Sequence, residues 1–282
     1  MNYFREPDIK DILIRALRED IGRKDITTEA VIPAKQSVKA ILLAKERCVV
    51  CGLGVARAVF RLQDKNCRFR ALVKEGDYVT KGMKLALVSG KARPILSAER
   101  VALNFLTRLC GISTLTKKFT DAVKPYKVKI LDTRKTTPGL RLLEKYAVRM
   151  GGGFNHRMSL DEMLLVKDNH WKAAKGCIRL PPFTKGYQIE IEVRNLKEFR
   201  QALKLKPDII MLDNMSIKDI KEAVKIRNQL STNDYRPTTK LEASGGINLK
   251  NIRRIASCGV EQISVGALTH SVNSADISLE IL

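Results

Sequence analysis

The chain changes its hydrophobic rhythm part-way along. Near the start, Ile9, Ile12, Leu13, Ala16 and Leu17 share one face of a helical period, which predicts an amphipathic helix from Ile9 to Glu19. Short β-like pieces follow: VKAILLAK, CVVCG and VKEGDYVTKGMKLALVSG. In the last of these, Val73, Val79, Leu85 and Leu87 are separated by Gly-Asp and Lys-Gly turns. That spacing predicts a hairpin-rich sandwich similar to the small barrels that carry biotin or lipoate. No lysine stands at an obvious hairpin tip, so structural support is expected there rather than carrier function. A helix is predicted at SAERVALNFLTRLCG, with Ser97 as its cap, Glu99 at its positive end and Gly111 as its stop.

From about residue 127 short apolar runs alternate with helical segments. The runs are VKILD, MLLVKD, IEIEV, IIMLD, KLEAS and QISVG. Alternation of this kind predicts βα units in a parallel sheet or barrel, and several runs lack the two-residue period, as strands buried on both faces do. What ends each run is informative. The first is followed by Thr133, Arg134 and Lys135, and the second by Lys167, Asp168 and Asn169. The third carries Glu190 and Glu192, and the fourth ends in Asp213 and Asn214. Ser244, Gly245 and Gly246 follow the fifth, and Gly266 the sixth.

In a β/α barrel the C-terminal strand ends gather at one mouth, where the chemistry sits. Any one charge after a strand is ordinarily a solvated loop residue. Six polar or glycine endings converging on one mouth read instead as a pocket, and Lys167, Glu192 and Asp213 press against apolar runs, where a charge needs a partner. Arg134, Lys135, Arg157 and Lys167 supply positive charge, and Arg suits two-point recognition of carboxylate or phosphate. The glycine endings of two successive late strands offer unobstructed N–H groups to a phosphate. Glu192 and Asp213 are the acids among these cations. They either pair with Lys167 as structure or hold ribose hydroxyls or Mg2+.

Between the first two runs lies TTPGLRLLEKYAVRMGGGFNHR. Thr137 is expected to cap a helix, Pro138 to occupy its first turn and Gly151 to follow its end. His156 and Arg157 would then hang on a flexible loop at the approach to the mouth. His170 and His270 lack such a context and read as structural.

Composition narrows the class. A chain of 282 residues with 44% hydrophobic content is globular, and no run approaches the roughly 20 apolar residues of a membrane helix. MNYFREPDIKD carries charges where a signal peptide needs an apolar core, so a cytoplasmic protein is expected. The six cysteines are scattered. Cys48 and Cys51 form a lone CxxC flanking two valines, which reads as buried strand rather than metal or redox site. The net charge of +22 favours anionic partners. Aromatics are only 5% and no basic stripe is interleaved with them, which argues against nucleic acid and leaves most of the charge as solvated helix surface.

These residues carry a resemblance. DTRKTTPGLRLLEKYAVRMGGGFNHR, VKDNH, IEIEV, IIMLDNM, LEASGGIN and ISVGALTHS resemble the quinolinate phosphoribosyltransferase family, as do SAERVALNFLTRLCGIST and EDIGRKDITTEAVIP. The likeness implies an α/β fold in two domains. An N-terminal α/β sandwich over 1–110 would be joined by a C-terminal tail, 269–282. An open, incomplete TIM-like β/α barrel over 111–268 would carry the active site. It implies reaction of quinolinate with phosphoribosyl pyrophosphate, giving nicotinate mononucleotide, pyrophosphate and CO2, with Mg2+ as cofactor. It also implies a homodimer in which Arg100 enters the neighbouring subunit's site.

By matching position, Arg134, His156, Arg157 and Lys167 would line the quinolinate pocket beside Thr133. Lys135, Glu192 and Asp213 would serve the phosphoribosyl pyrophosphate side, with Lys167 near both. Ser244, Gly245, Gly246 and Gly266 would hold the 5′-phosphate. The catalytic set is then Lys135, Lys167, Glu192 and Asp213, either lysine being placed to protonate the decarboxylated ring. Four positions depart from the family pattern: Cys110 replaces a usual Ser, Trp171 a smaller apolar residue, Arg194 an acid and Lys24 a Gly. Rival readings are a sister enzyme acting on nicotinate, a basic nucleic-acid binder and a non-catalytic scaffold.

Overall fold

A computed structural model describes residues 6–176, 178, 181, 184–229 and 239–282. The chain begins with α1 (Glu6–Ile21), α2 (Ile26–Val31), β1 (Ser37–Ala44), β2 (Cys48–Val49) and α3 (Leu53–Gln63). β3 (Arg68–Ala71), β4 (Tyr78–Val79), β5 (Lys84–Lys91) and α4 (Ala92–Ala122) follow. Next come β6 (Lys129–Leu131), α5 (Arg141–Met150), β7 (Leu164–Val166), α6 (Asp168–Ala173), β8 (Ile189–Val193) and α7 (Leu196–Lys204). The chain ends with β9 (Ile209–Asp213), α8 (Ile217–Gln229), β10 (Lys240–Ser244), α9 (Ile252–Ala256), β11 (Gln262–Ser264), α10 (Ala267–His270) and β12 (Ile277–Ile281). No helix among the described residues is long and apolar enough to cross a membrane.

Two compact units emerge. One comprises 1–117, 136–152 and 271–282, and the other 118–135 and 153–270. Segment 136–152, which the sequence assigned to the barrel, clusters with the first unit together with α5. In that unit an antiparallel sheet runs β12-β1-β5-β3, with Leu42 of β1 opposite Leu279 on one side and Ala86 on the other. The apolar stripe of α1 is buried at Ile9, Leu13 and Leu17. Each such side chain contributes on the order of 1.5–3 kcal/mol. The VKEGDYVTKGMKLALVSG stretch departs from the expected hairpin. β4 pairs with β2 in a separate two-stranded ribbon, and β5 joins the four-stranded sheet.

Two helix ends also differ from expectation. α4 runs straight through Gly111, and the Ser97 hydroxyl donates to Asp25 rather than capping the helix. Gly111 is required for a different reason: a Cβ there would lie 2.1 Å from the Asn273 carbonyl oxygen. The returning tail therefore presses directly on the helix backbone. Thr137 and Pro138 precede α5, whose N-cap position is Leu140. Thr137 instead joins a partly buried ion pair: Arg108 Nη2 donates to its hydroxyl, and Arg108 Nε donates to Glu144 Oε1 at 2.9 Å. Gly151 does follow α5, as expected.

The second unit is a six-stranded sheet in the order β6-β11-β10-β9-β8-β7, parallel throughout. β7 and β6 lie at opposite ends of that order, yet the sheet curls. Phe154 pairs in parallel with Leu131 on the free edge of β6, and Arg157, three residues on, donates to the Met163 carbonyl just before β7. Residues 154–157 thus bridge the gap between the end strands of an open β/α barrel.

A clean test of the tail contact is Gly111→Ala. The Cβ meets backbone that cannot turn aside, so equilibrium denaturation should show a loss of about 1–3 kcal/mol. Unchanged stability would contradict the close approach.

Candidate active site

The strand register puts alternate residues on one face, so the barrel interior can be read across the sheet. Glu192 of β8 lies level with Met211 of β9, and Met211 with Glu242 of β10. Glu190 lies one layer below Glu192, and Asp213 one layer above Met211 and level with Ser244. Lys167, directly after β7, continues the face that carries Leu165. The C-terminal strand ends therefore gather Lys167, Glu192, Asp213 and Ser244 on one rim.

The NHR segment is pinned rather than loose. The buried Asp132 carboxylate accepts from the His156 backbone N–H at 2.9 Å and from the Asn155 side-chain amide. The Arg157 N–H donates to His156 Nδ1 at 2.8 Å, so the ring proton resides on Nε2. Nε2 then donates to Glu190 Oε2 at 2.9 Å. The expected open loop is a rigid carrier for Arg157, and both His156 ring nitrogens are engaged within the unit. The Arg157 guanidinium is pushed below its usual range by burial and then by the neighbouring Arg134. Arg134, Lys135 and Lys167 make no ion pair among the described residues. Cations held this close, none of the three in an ion pair, suit an anionic ligand.

Lys167 is exposed rather than buried. Its backbone N–H donates to His170 Nδ1, which gives His170 the structural role expected of it. Glu192 is pushed above the usual carboxylate range by partial burial and then by Asp213, while Lys167 and Arg194 pull it back. Glycines shape the opposite rim. Gly245 has φ +87°, and a Cβ there would overlap the Asn214 side chain at 2.3 Å. At Gly266 a Cβ would approach His270 Nε2 at 3.0 Å and Lys135 Cδ at 3.2 Å. The Lys135 side chain thus lies against the loop after β11 at Gly266, and His270 joins that rim. Arg100 is exposed on α4 in the first unit and has no hydrogen-bond or ion-pair partner among the described residues.

More acids surround the site than Glu192 and Asp213 alone. Glu190 and Glu242 are fully buried, and His156 Nε2 lies 3.8 Å from Glu242 Oε1. Burial pushes both carboxyls up to about 8; beyond burial, Glu192 raises Glu190 further and Glu190 raises Glu242. His156, Glu190 and Glu242 have the ligand types of a metal site. Metal binding would need a bare Nε2, whereas Nδ1 is the nitrogen that accepts. The trio is better described as a proton-sharing cluster. Glu242 stood in KLEAS without special notice, although a charge in mid-strand was its signal; Glu190 was legible as the partner, two residues back, of Glu192.

Cations and carboxylates on one rim, with glycine loops opposite, define a β/α-barrel enzyme class that handles polyanionic, phosphate-bearing substrates. Known proteins narrow this. The family described as quinolinate phosphoribosyl transferase, N-terminal domain, matches residues 25–110, and its C-terminal domain matches 112–280. The chloroplastic nicotinate-nucleotide pyrophosphorylase [carboxylating] of Arabidopsis thaliana is 41% identical over 298 residues, covering 97% of this chain and 83% of that protein. A probable nicotinate-nucleotide pyrophosphorylase [carboxylating] of Synechocystis sp. is 40% identical, covering 94% and 90%. The crystal structure of NadC from Streptococcus pyogenes matches with a TM-score of 0.90 at 38% identity, covering 99% of each chain. The chain belongs to the quinolinate phosphoribosyltransferase family.

The buried acids set a pH dependence. Their folded pKa values lie above the ordinary 4.5, so the folded protein retains protons that the unfolded chain has lost. Stability is fully present below about pH 4.5 and falls as pH rises through about 8. Thermal melts of wild type and Glu242→Gln should show this decline in the wild type and a shallower one in the variant. Parallel pH profiles would contradict it.

Proposed function

We infer that this chain transfers the phosphoribosyl group of phosphoribosyl pyrophosphate to quinolinate with decarboxylation. The products are nicotinate mononucleotide, pyrophosphate and CO2, a step of NAD biosynthesis. The observation that carries this reading is the concentration of Arg134, Arg157 and Lys167 at the rim, with Arg157 fixed by the Asp132–His156–Glu190 bonds. Two carboxylates on a pyridine ring need several cations in fixed places, and a dicarboxylate uses more of them than a monocarboxylate would.

The residues then divide the work. Arg134, Arg157 and Lys167 hold the quinolinate carboxylates, with Thr133 and His156 as the frame behind them. Lys135 and the Ser244, Gly245, Gly246 and Gly266 loops hold donor phosphate. The ring nitrogen attacks the anomeric carbon as the bond to pyrophosphate breaks. Glu192 and Asp213 offer negative charge to the oxocarbenium character that develops there. The bond from C2 to its carboxylate then breaks, CO2 leaves, and the electron pair stays next to the positive ring nitrogen. A proton from a rim ammonium, Lys135 or Lys167, completes nicotinate mononucleotide.

Glu192 and Asp213 fit Mg2+, being all-oxygen donors close enough that Asp213 raises Glu192. Mg2+ would offset charge on the departing pyrophosphate. The working form in this reading is a homodimer, in which the exposed Arg100 completes the neighbouring subunit's site. Among the described residues Cys48, Cys51, Cys67, Cys110 and Cys258 are free thiols, which suits a reducing compartment, and we read the enzyme as cytoplasmic.

Arg134→Ala and Lys167→Ala should each lower kcat/KM for quinolinate by about 2–5 kcal/mol, since each leaves a carboxylate without its cation. Wild-type kcat/KM in either variant would overturn the pocket assignment. The shared site has its own test. Arg100→Ala and Lys167→Ala homodimers, unfolded and refolded together in equal amounts, should regain roughly a quarter of wild-type activity, because half of the dimers carry one intact site. No recovery in the mixture would contradict the dimer reading.

A further inference from the structure

Arg194 directly follows β8 and stands at the acidic side of the rim. Its Nη2 lies 2.8 Å from Asp168 Oδ2, and its Nε lies 3.7 Å from Asp213 Oδ2. The arginine side chain is half exposed, at 49%, while the two carboxylates are largely covered, at 24% and 18%. Lys172 reaches Asp168 as well, at 3.4 Å, but is far more exposed. Glu192 also lies in the field of Arg194, together with Asp213, Asp168 and Lys167. A guanidinium therefore spans the carboxylates that follow β7 and end β9. The general basic drift of the chain does not account for this, because a solvated surface charge has no need to bridge two shielded acids.

We propose that Arg194 is a built-in counter-ion for Asp213, which competes with a divalent cation in the free enzyme. The proposal rests on the reading that Glu192 and Asp213 face Mg2+. Arg is permanently charged and binds a carboxylate without giving up a tightly held water shell, whereas Mg2+ dehydrates reluctantly. With Arg194 in place, the rim has its negative charge offset before any metal arrives. The free enzyme then holds divalent cations weakly, and the cation enters with the phosphates of its donor. Those phosphates offer the guanidinium an alternative two-point acceptor, so Asp213 is released as the donor binds. Arg194 is in this sense a positioning residue that sets the order of loading, and its effect is read in metal affinity rather than in turnover.

The test is titration of Mn2+ into the protein without substrates, following free Mn2+ by electron paramagnetic resonance. Wild type, Arg194→Gln, Asp213→Asn and the double variant are compared. The expected result is that Arg194→Gln binds Mn2+ roughly 1.5- to fivefold more tightly, the range set by removing one partly exposed charge. Adding Asp213→Asn should erase that gain. If Arg194→Gln leaves Mn2+ affinity unchanged while Asp213→Asn weakens it, the carboxylates still face the metal and the counter-ion role of Arg194 is overturned. If Asp213→Asn has no effect in either background, the metal reading of this rim falls, and the proposal falls with it.

Discussion

The hydrogen bond from His156 Nε2 to Glu190 is the contact that ties the candidate active site together. It joins the chain segment lying along β6 to a strand on the far side of the curled sheet. The bond is possible because Arg157 N–H occupies Nδ1 and leaves the proton on Nε2. Asp132 fixes the same segment from below through two further bonds. Arg157 is thereby held beside Arg134 although the two repel. Without that anchor, the two mutually repelling guanidiniums would move apart into solvent, and the cationic side of the rim would lose its shape.

The same constraint explains why the barrel interior is acidic beneath a cationic mouth. Glu190 and Glu242 are buried where no lysine or arginine reaches hydrogen-bonding distance among the described residues, so they hold protons near neutral pH. A protonated interior adds little negative charge beneath the cationic rim. Ionised, the same groups would draw on Arg157 and Lys167, both of which already lie in the field of Glu190. Interior protonation and the strength of the rim are thus linked through His156.

Much of this was legible in the sequence, for identifiable reasons. Strand ends are marked by abrupt changes from apolar to charged residues, so Arg134, Lys167, Glu192 and Asp213 could be found without coordinates. The structure places Lys167, Glu192 and Asp213 on one rim and brings Lys135 over Gly266. Contacts between distant segments were not legible. Gly111 has the appearance of a helix stop in sequence, because nothing local reveals that residue 273 will press on it. Thr137 and Pro138 have the signature of a helix start, yet the Arg108–Glu144 pair claims the threonine. Glu242 needed the register with β9 and the position of His156 before its burial had meaning. Arg194 could be seen only as a departure from a pattern until its two carboxylate partners were in place.

Of the bulk charge of +22, the proposed chemistry draws on only a few cations at the rim. The central claim is that these cations are matched to a pyridine dicarboxylate undergoing phosphoribosyl transfer coupled to carboxylate loss. The most direct measurement follows purified protein with phosphoribosyl pyrophosphate, Mg2+ and quinolinate labelled at the 2-carboxylate. The account predicts equal amounts of labelled CO2, nicotinate mononucleotide and pyrophosphate, and little turnover when nicotinate replaces quinolinate. Nicotinate mononucleotide formed as readily from nicotinate, or product formed with the label retained, would contradict it.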